Sequence, residues 1–127
     1  MEKAGKKLRE IKFRSDKNSS LLSVHTEEAR AYATYLENRS SIASYEVCKP
    51  LDPNRLALIS KVDIRGEYFK ATWESDFTLT YTDGTNGVRE IVRASDLMKR
   101  AELEKLELSR RYWASLGIKD WKIVIAG

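Results

Sequence analysis

The sequence contains a single cysteine, Cys48, and a single histidine, His25. One cysteine excludes an intrachain disulfide framework, and one histidine leaves no His/Cys cluster with zinc-ligand spacing, so both residues read as structural or incidental. Long apolar runs are also missing. No stretch approaches the roughly 20 residues that cross a bilayer, and no apolar segment follows the basic N-terminus as in a signal peptide. Internal repeats and low-complexity tracts are absent too. These absences predict a reduced, soluble, cytoplasmic protein with no membrane partner.

The 127 residues, 42% of them hydrophobic, are enough for one core and too few for two comfortable domains. The formal net charge is +4, and the excess is confined to one end. Residues 1–17 carry Lys3, Lys6, Lys7, Arg9, Lys12, Arg14 and Lys17 against Glu2, Glu10 and Asp16. This basic N-terminal arm can neutralise phosphates of nucleic acid, double-stranded DNA among them, a salt-dependent and sequence-independent contribution to binding. The plainer reading of the same residues is a solvated tail. The remainder, 18–127, is expected to fold as one domain.

Residues 24–37 place Ala29, Tyr32, Ala33 and Leu36 at helical spacing, with Thr26 as N-cap and Glu27 and Glu28 in the first turn. Short stretches rich in β-branched and aromatic residues follow at 43–48, 55–64, 67–73, 77–81 and 88–93, and they predict strands. Asp83, Gly84, Asn86 and Gly87 supply turn chemistry for a hairpin. A long helix is predicted over 95–116, capped by Ser95 and ended by Gly117, then a buried strand over 121–126. The aromatics Tyr112, Trp113 and Trp121 fall at core spacing on these elements. The predicted order is α-β-β-β-β-β-α-β, an α/β (α+β) domain with a largely antiparallel central sheet flanked by helices.

Glu90 breaks the local pattern. Val88, Glu90 and Val92 share one strand face, so a carboxylate sits between two valines where an apolar side chain belongs. It needs a partner or a metal there, unless the strand is an edge strand and the carboxylate reaches solvent. Glu28 and Asp76 are the other acids placed near element ends. Two or three carboxylates converging at one end of a sheet suit Mg²⁺ or Mn²⁺, which prefer oxygen ligands and support phosphodiester hydrolysis.

The run at 103–113, Leu-Glu-Lys-Leu-Glu-Leu-Ser-Arg-Arg-Tyr-Trp, followed at 116–124 by Leu-Gly-Ile-Lys-Asp-Trp-Lys-Ile-Val, resembles the helix and final strand of the TnsA-type transposon endonucleases. Residues 74–79, Glu-Ser-Asp-Phe-Thr-Leu, are similar to the family's strand opening. Residues 24–36 and the segment 44–50, Ser-Tyr-Glu-Val-Cys-Lys-Pro, resemble its Glu-bearing helix and the strand after it. The resemblance implies a restriction-endonuclease-like fold of the PD-(D/E)xK superfamily. It also implies Mg²⁺-dependent DNA cleavage at transposon ends beside a DDE transposase subunit. Carried over residue by residue, it makes Asp76, Glu90 and Glu28 the metal ligands, with Glu27 as the other candidate on the helix.

The family's lysine, two residues after the second acid, is replaced by Val92. Arg93 is the nearest basic residue, but strand alternation prevents Glu90 and Arg93 from filling both family positions at once. Lys99 from the following helix is a further candidate. Glu28, Asp76, Glu90 and Arg93 are therefore the expected catalytic set. The C-terminal domain through which longer members engage a regulatory ATPase is expected to be absent. The competing expectation is a catalytically degenerate DNA-binding or transposase-binding accessory protein of the same fold.

Overall fold

The computed structural model describes residues 1–4 and 9–126. Its architecture is mixed α/β, with three α-helices and a mixed five-stranded sheet. Residues 1–17, expected as an arm ahead of the domain, belong to the fold where they are described. Glu2–Lys3 form a short strand β1, and Ile11–Ser15 form β2, paired antiparallel with β3, Ser20–Val24. The cause is a period-two pattern inside the basic stretch. Phe13 and Ser15 are buried while Lys12 and Arg14 face out.

The helix α1, Glu27–Glu37, begins where expected. Thr26 accepts a hydrogen bond from the Ala29 amide at 3.1 Å, and Glu27 and Glu28 occupy the first turn. Strand β4, Ile42–Pro50, follows. The strands expected over 55–64 and 67–73 do not form. Asp52 caps a short helix α2, Pro53–Leu56, with Pro53 in its first turn, and Gly66–Phe69 form a 3₁₀ turn. Leu56, Ile59 and Ile64 are buried, but Leu58 and Val62 lie open to solvent. Spacings of three and five anchor a winding connection and match no strand alternation.

Strands β5, Trp73–Tyr81, and β6, Asn86–Arg93, form the expected hairpin, closed by Gly84 at φ 87°. The long helix α3, Arg100–Ser115, starts five residues later than expected, because residues 94–96 form a 3₁₀ turn and Ser95 is not its cap. Gly117, at φ 83°, follows its end. Strand β7, Asp120–Ala126, then pairs parallel to β6. It is an edge strand with Ile123 and Ile125 exposed, which corrects the expectation of a buried one.

The sheet separates two apolar clusters. On one side α1 and the β2–β3 hairpin pack Phe13, Val24, Ala33 and Leu36 against Tyr45, Phe77 and Leu79. Full burial of a side chain such as Phe77 contributes about 1.5–3 kcal/mol. On the other side α3 and the 51–72 connection bring Leu108, Tyr112 and Trp113 onto Trp73 and Val88. Tyr112, Trp113 and Trp121 are thus core or core-lining residues, as their spacing predicted.

Gly87 of β6 lies opposite Asp120 of β7. A Cβ there would meet Asp120 Oδ2 at 2.5 Å and its backbone oxygen at 3.1 Å. That carboxylate oxygen also accepts from Arg89 Nη2 at 3.1 Å and from the Tyr81 hydroxyl. Gly87→Ala is therefore expected to push Asp120 off both partners and lower stability by about 1–3 kcal/mol. Denaturant unfolding checks this. A midpoint equal to the parent's would refute the close approach.

Candidate active site at a fork in the sheet

Strand β5 changes neighbours partway along its length. It pairs with β6 from Phe77↔Arg89 to Thr80↔Asn86, whereas near its start Glu74 pairs with Glu2 and Trp73 with Lys3 of β1. At the fork the main-chain ladder is replaced by side chains. The Asp76 amide donates to Glu90 Oε1 at 3.0 Å, and the Ile91 amide donates to Asp76 Oδ2 at 2.7 Å. Each carboxylate thereby occupies the donor that a partner strand would have taken. The ammonium of Met1 lies between them, 3.5 Å from Asp76 Oδ2 and 3.7 Å from Glu90 Oε1.

Glu90 is fully buried in a strand flanked by β5 and β7, so the edge-strand reading is wrong and the demand for partners is met inside the protein. Its Oε2 accepts from the hydroxyls of Ser75, at 2.7 Å, and Ser109. Each serine oxygen in turn accepts an indole N–H, Trp113 Nε1 at 2.8 Å on Ser75 and Trp121 Nε1 at 3.0 Å on Ser109. An indole can only donate and a serine hydroxyl has one proton, so both relays point their donors at the carboxylate. Burial pushes the Glu90 carboxyl up to about 7, against the pull of the Met1 ammonium, while nearby Asp76 adds to the rise. Burial alone would lower the Met1 ammonium, but Asp76 and Glu90 outweigh it and carry that group to about 10.

Of the expected site residues, Glu28, Asp76 and Arg93 line one cavity of about 280 Å³, with Glu90 behind Asp76. Glu28 lies against Arg93, Oε1 to Nε 3.3 Å. A bond from its own backbone N–H, together with Arg93, holds its carboxyl below the usual range. Glu27 pairs instead with Arg9 on the surface at 2.8 Å, which leaves Glu28 as the helix acid at the cavity. The three acids do not close into a single ligand set. Among the described residues, the group of His, Cys, Asp or Glu with ligand atoms mutually within 4.8 Å is His25, Cys48 and Glu74. A possible metal-binding triad therefore exists where the sequence offered no cluster, because the fold brings the lone histidine to the lone cysteine.

Neither residue weighed for the expected lysine's role brings a free charge to Glu90. Val92 is buried on the same strand face as Glu90, and Lys99 pairs with Asp96 at 2.6 Å. Of the basic residues assigned to DNA, Lys3, Lys12 and Arg14 are exposed on strands, and Arg9 holds Glu27. The Lys17 ammonium donates to the Ile42 carbonyl at 2.6 Å. Lys6 and Lys7 lie outside the described residues. Sequence reasoning missed Ser75, Ser109 and Met1. Ser109 had left a signal, as a small polar residue among Leu106, Leu108, Tyr112 and Trp113 on the buried helix face. Among the described residues no helix is long and apolar enough to cross a membrane.

Because the folded-state Glu90 carboxyl lies above its ordinary 4.5, the folded protein keeps a proton that the unfolded chain releases between about 4.5 and about 7. Stability is then expected to fall as pH rises through that window, by at most about 1.4 kcal/mol per pH unit from this group. Denaturation of parent and Glu90→Gln across the window checks the sign, and equal slopes in the two proteins would contradict it. No protein-family model and no curated protein matches this chain.

Proposed function

We propose that the chain is a metal-dependent DNA endonuclease of the TnsA type, cleaving transposon ends by phosphodiester hydrolysis as a subunit beside a DDE transposase. The observation that carries the reading is the meeting of Asp76 and Glu90 around one cation at the fork, with Glu28 and Arg93 on the same cavity. Two converging carboxylates, one fully buried, call for a positive charge between them. All their ligand atoms are hard oxygens, which suits Mg²⁺ or Mn²⁺. Asp76 and Glu90 would hold the ion, with Glu28 at the cavity wall. When bound, the ion supplies an activated water and neutralises charge on the phosphate.

The chain's own groups do the rest. Ser75 and Ser109 keep Glu90 an acceptor, and Arg93 offers a guanidinium to a phosphate oxygen. Lys3, Lys12 and Arg14 present exposed charge for flanking backbone.

A specific observation favours a second reading, a catalytically degenerate accessory protein that binds DNA or transposase. Val92 is buried where the family's lysine would stand, and the Met1 ammonium already meets the charge of Asp76 and Glu90. Supercoiled-DNA nicking with Mg²⁺ or Mn²⁺, alone and with a cognate transposase, separates the two. The nuclease reading expects Asp76→Ala to lower nicking by about 100-fold or more. Absence of nicking by the parent, with DNA or transposase binding intact, selects the second reading.

Phosphate binding by β2 has its own signature. Lys12→Ala with Arg14→Ala is expected to weaken DNA binding and flatten the plot of log affinity against log salt by roughly 0.9 for each phosphate no longer neutralised. An unchanged slope removes β2 from the interface.

A further inference from the structure

We propose that His25, Cys48 and Glu74 form a binding site for a borderline-soft divalent cation of the zinc class, separate from the Asp76–Glu90 pair. The three residues come from different elements. His25 stands between β3 and the N-cap of α1, Cys48 is in β4 and Glu74 is in β5. Their ligand atoms lie within 4.8 Å of one another, and all three side chains are half-buried. One imidazole nitrogen, one sulfur and one carboxylate oxygen match the donor types zinc accepts, and the mixture disfavours Mg²⁺ and Ca²⁺.

The protonation pattern points the same way. His25 Nδ1 is 3.0 Å from the Arg9 carbonyl. A carbonyl can only accept, so Nδ1 carries a proton, which is how a backbone carbonyl fixes the tautomer of a ligating histidine. In the neutral ring Nε2 then presents its lone pair 4.0 Å from Glu74 Oε1. Two acceptors face each other, and the thiol proton of Cys48 goes elsewhere, to the Ser23 carbonyl at 3.7 Å. A cation between Nε2, Sγ and the carboxylate resolves that opposition.

Backbone geometry serves the same end. Cys48 has φ 51°, and the β4–β5 register passes from Val47↔Phe77 to Lys49↔Ser75 without a partner for it. Ser23, whose carbonyl touches the thiol, also holds the buried side-chain oxygen that has no hydrogen-bond partner among the described residues. Ligand atoms around tetrahedral zinc stand roughly 3.5 Å apart, so closing the triad takes side-chain shifts of about an ångström. Binding replaces the Cys48 S–H bond with a sulfur–metal bond and releases that proton to solvent. Three protein ligands leave a fourth position, and His25 and Cys48 both line the cavity that holds Glu28 and Asp76.

The test is titration of the chelator-stripped full chain with Co²⁺, read by absorption. A thiolate-to-cobalt charge-transfer band saturating at one ion per chain, and displaced by Zn²⁺, is expected. Cys48→Ser should abolish the band, His25→Gln and Glu74→Gln should each weaken binding about 10-fold or more, and Asp76→Asn should leave it in place. The parent spectrum decides even if a variant fails to fold. No charge-transfer band in the parent overturns the site and leaves an imidazolium–carboxylate pair as the account of His25 and Glu74. A band whose affinity is unchanged in both His25→Gln and Glu74→Gln overturns the triad. Mg²⁺-dependent nicking is a separate readout, so either proposal can fail alone.

Discussion

A carboxylate in the middle of a sheet governs this fold. Glu90 is fully buried, in an interior strand, between valines that belong to the core. Removing such a group from water costs several kcal/mol unless every lone pair finds a donor. The surrounding sequence is organised to supply them. Ser75 and Ser109 come from β5 and α3, the Asp76 amide from the parted ladder, and Trp113 and Trp121 saturate the serines from behind. One residue thus ties two strands of the sheet and the helix that crosses over it, and Trp121 adds the strand that follows.

The same constraint explains why the sheet forks. Main-chain pairing between β5 and β6 stops at Phe77↔Arg89, and the next donors are satisfied by the Asp76 and Glu90 side chains. The strands separate there, and β1 fills the vacated edge of β5 at Glu74 and Trp73. Across β5, the left-handed Cys48 leaves Asp76 without a register partner in β4. Asp76 is released from pairing on both sides, and its carboxylate sits 15% exposed at a cavity wall. Polar satisfaction of one buried acid therefore leaves a second acid half-open to a ligand.

Elements whose signal is local were legible in the sequence. Thr26 with Glu27 and Glu28 marked α1, Asp83 and Gly84 marked the hairpin, and Gly117 marked the end of α3. The 51–72 connection was not legible. Its buried Leu56, Ile59 and Ile64 are as β-compatible as any strand, and tertiary docking onto α3 decides their conformation. The basic stretch misled because charge masked the alternation of Phe13 and Ser15 with Lys12 and Arg14. At the site, Glu90 betrayed itself by breaking the pattern of its strand. Cys48, His25 and Glu74 gave no such sign, since their proximity depends on the pairing of β4 with β5, the left-handed backbone of Cys48 and a loop, none of which a single-residue pattern encodes.

Charge at the cavity limits what it can hold. Glu2, Glu28, Asp76, Asp96 and Glu102 line it, and the opposing charge comes from the Met1 ammonium and Arg93. The Met1 ammonium is already engaged by Asp76 and Glu90, and Arg93 by Glu28. An anion such as a phosphate entering alone would meet net repulsion in a partly desolvated space, where charges are weakly screened. On the proposed reading a lysine beside Glu90 would have offset part of that repulsion, and buried Val92 offers nothing in its place. The burden of attracting a phosphodiester then falls on a bound cation at the cavity and on the exposed Lys12 and Arg14 outside it. On that reading the absence of a lysine makes the site more dependent on metal, because acids that would bind a cation also repel DNA.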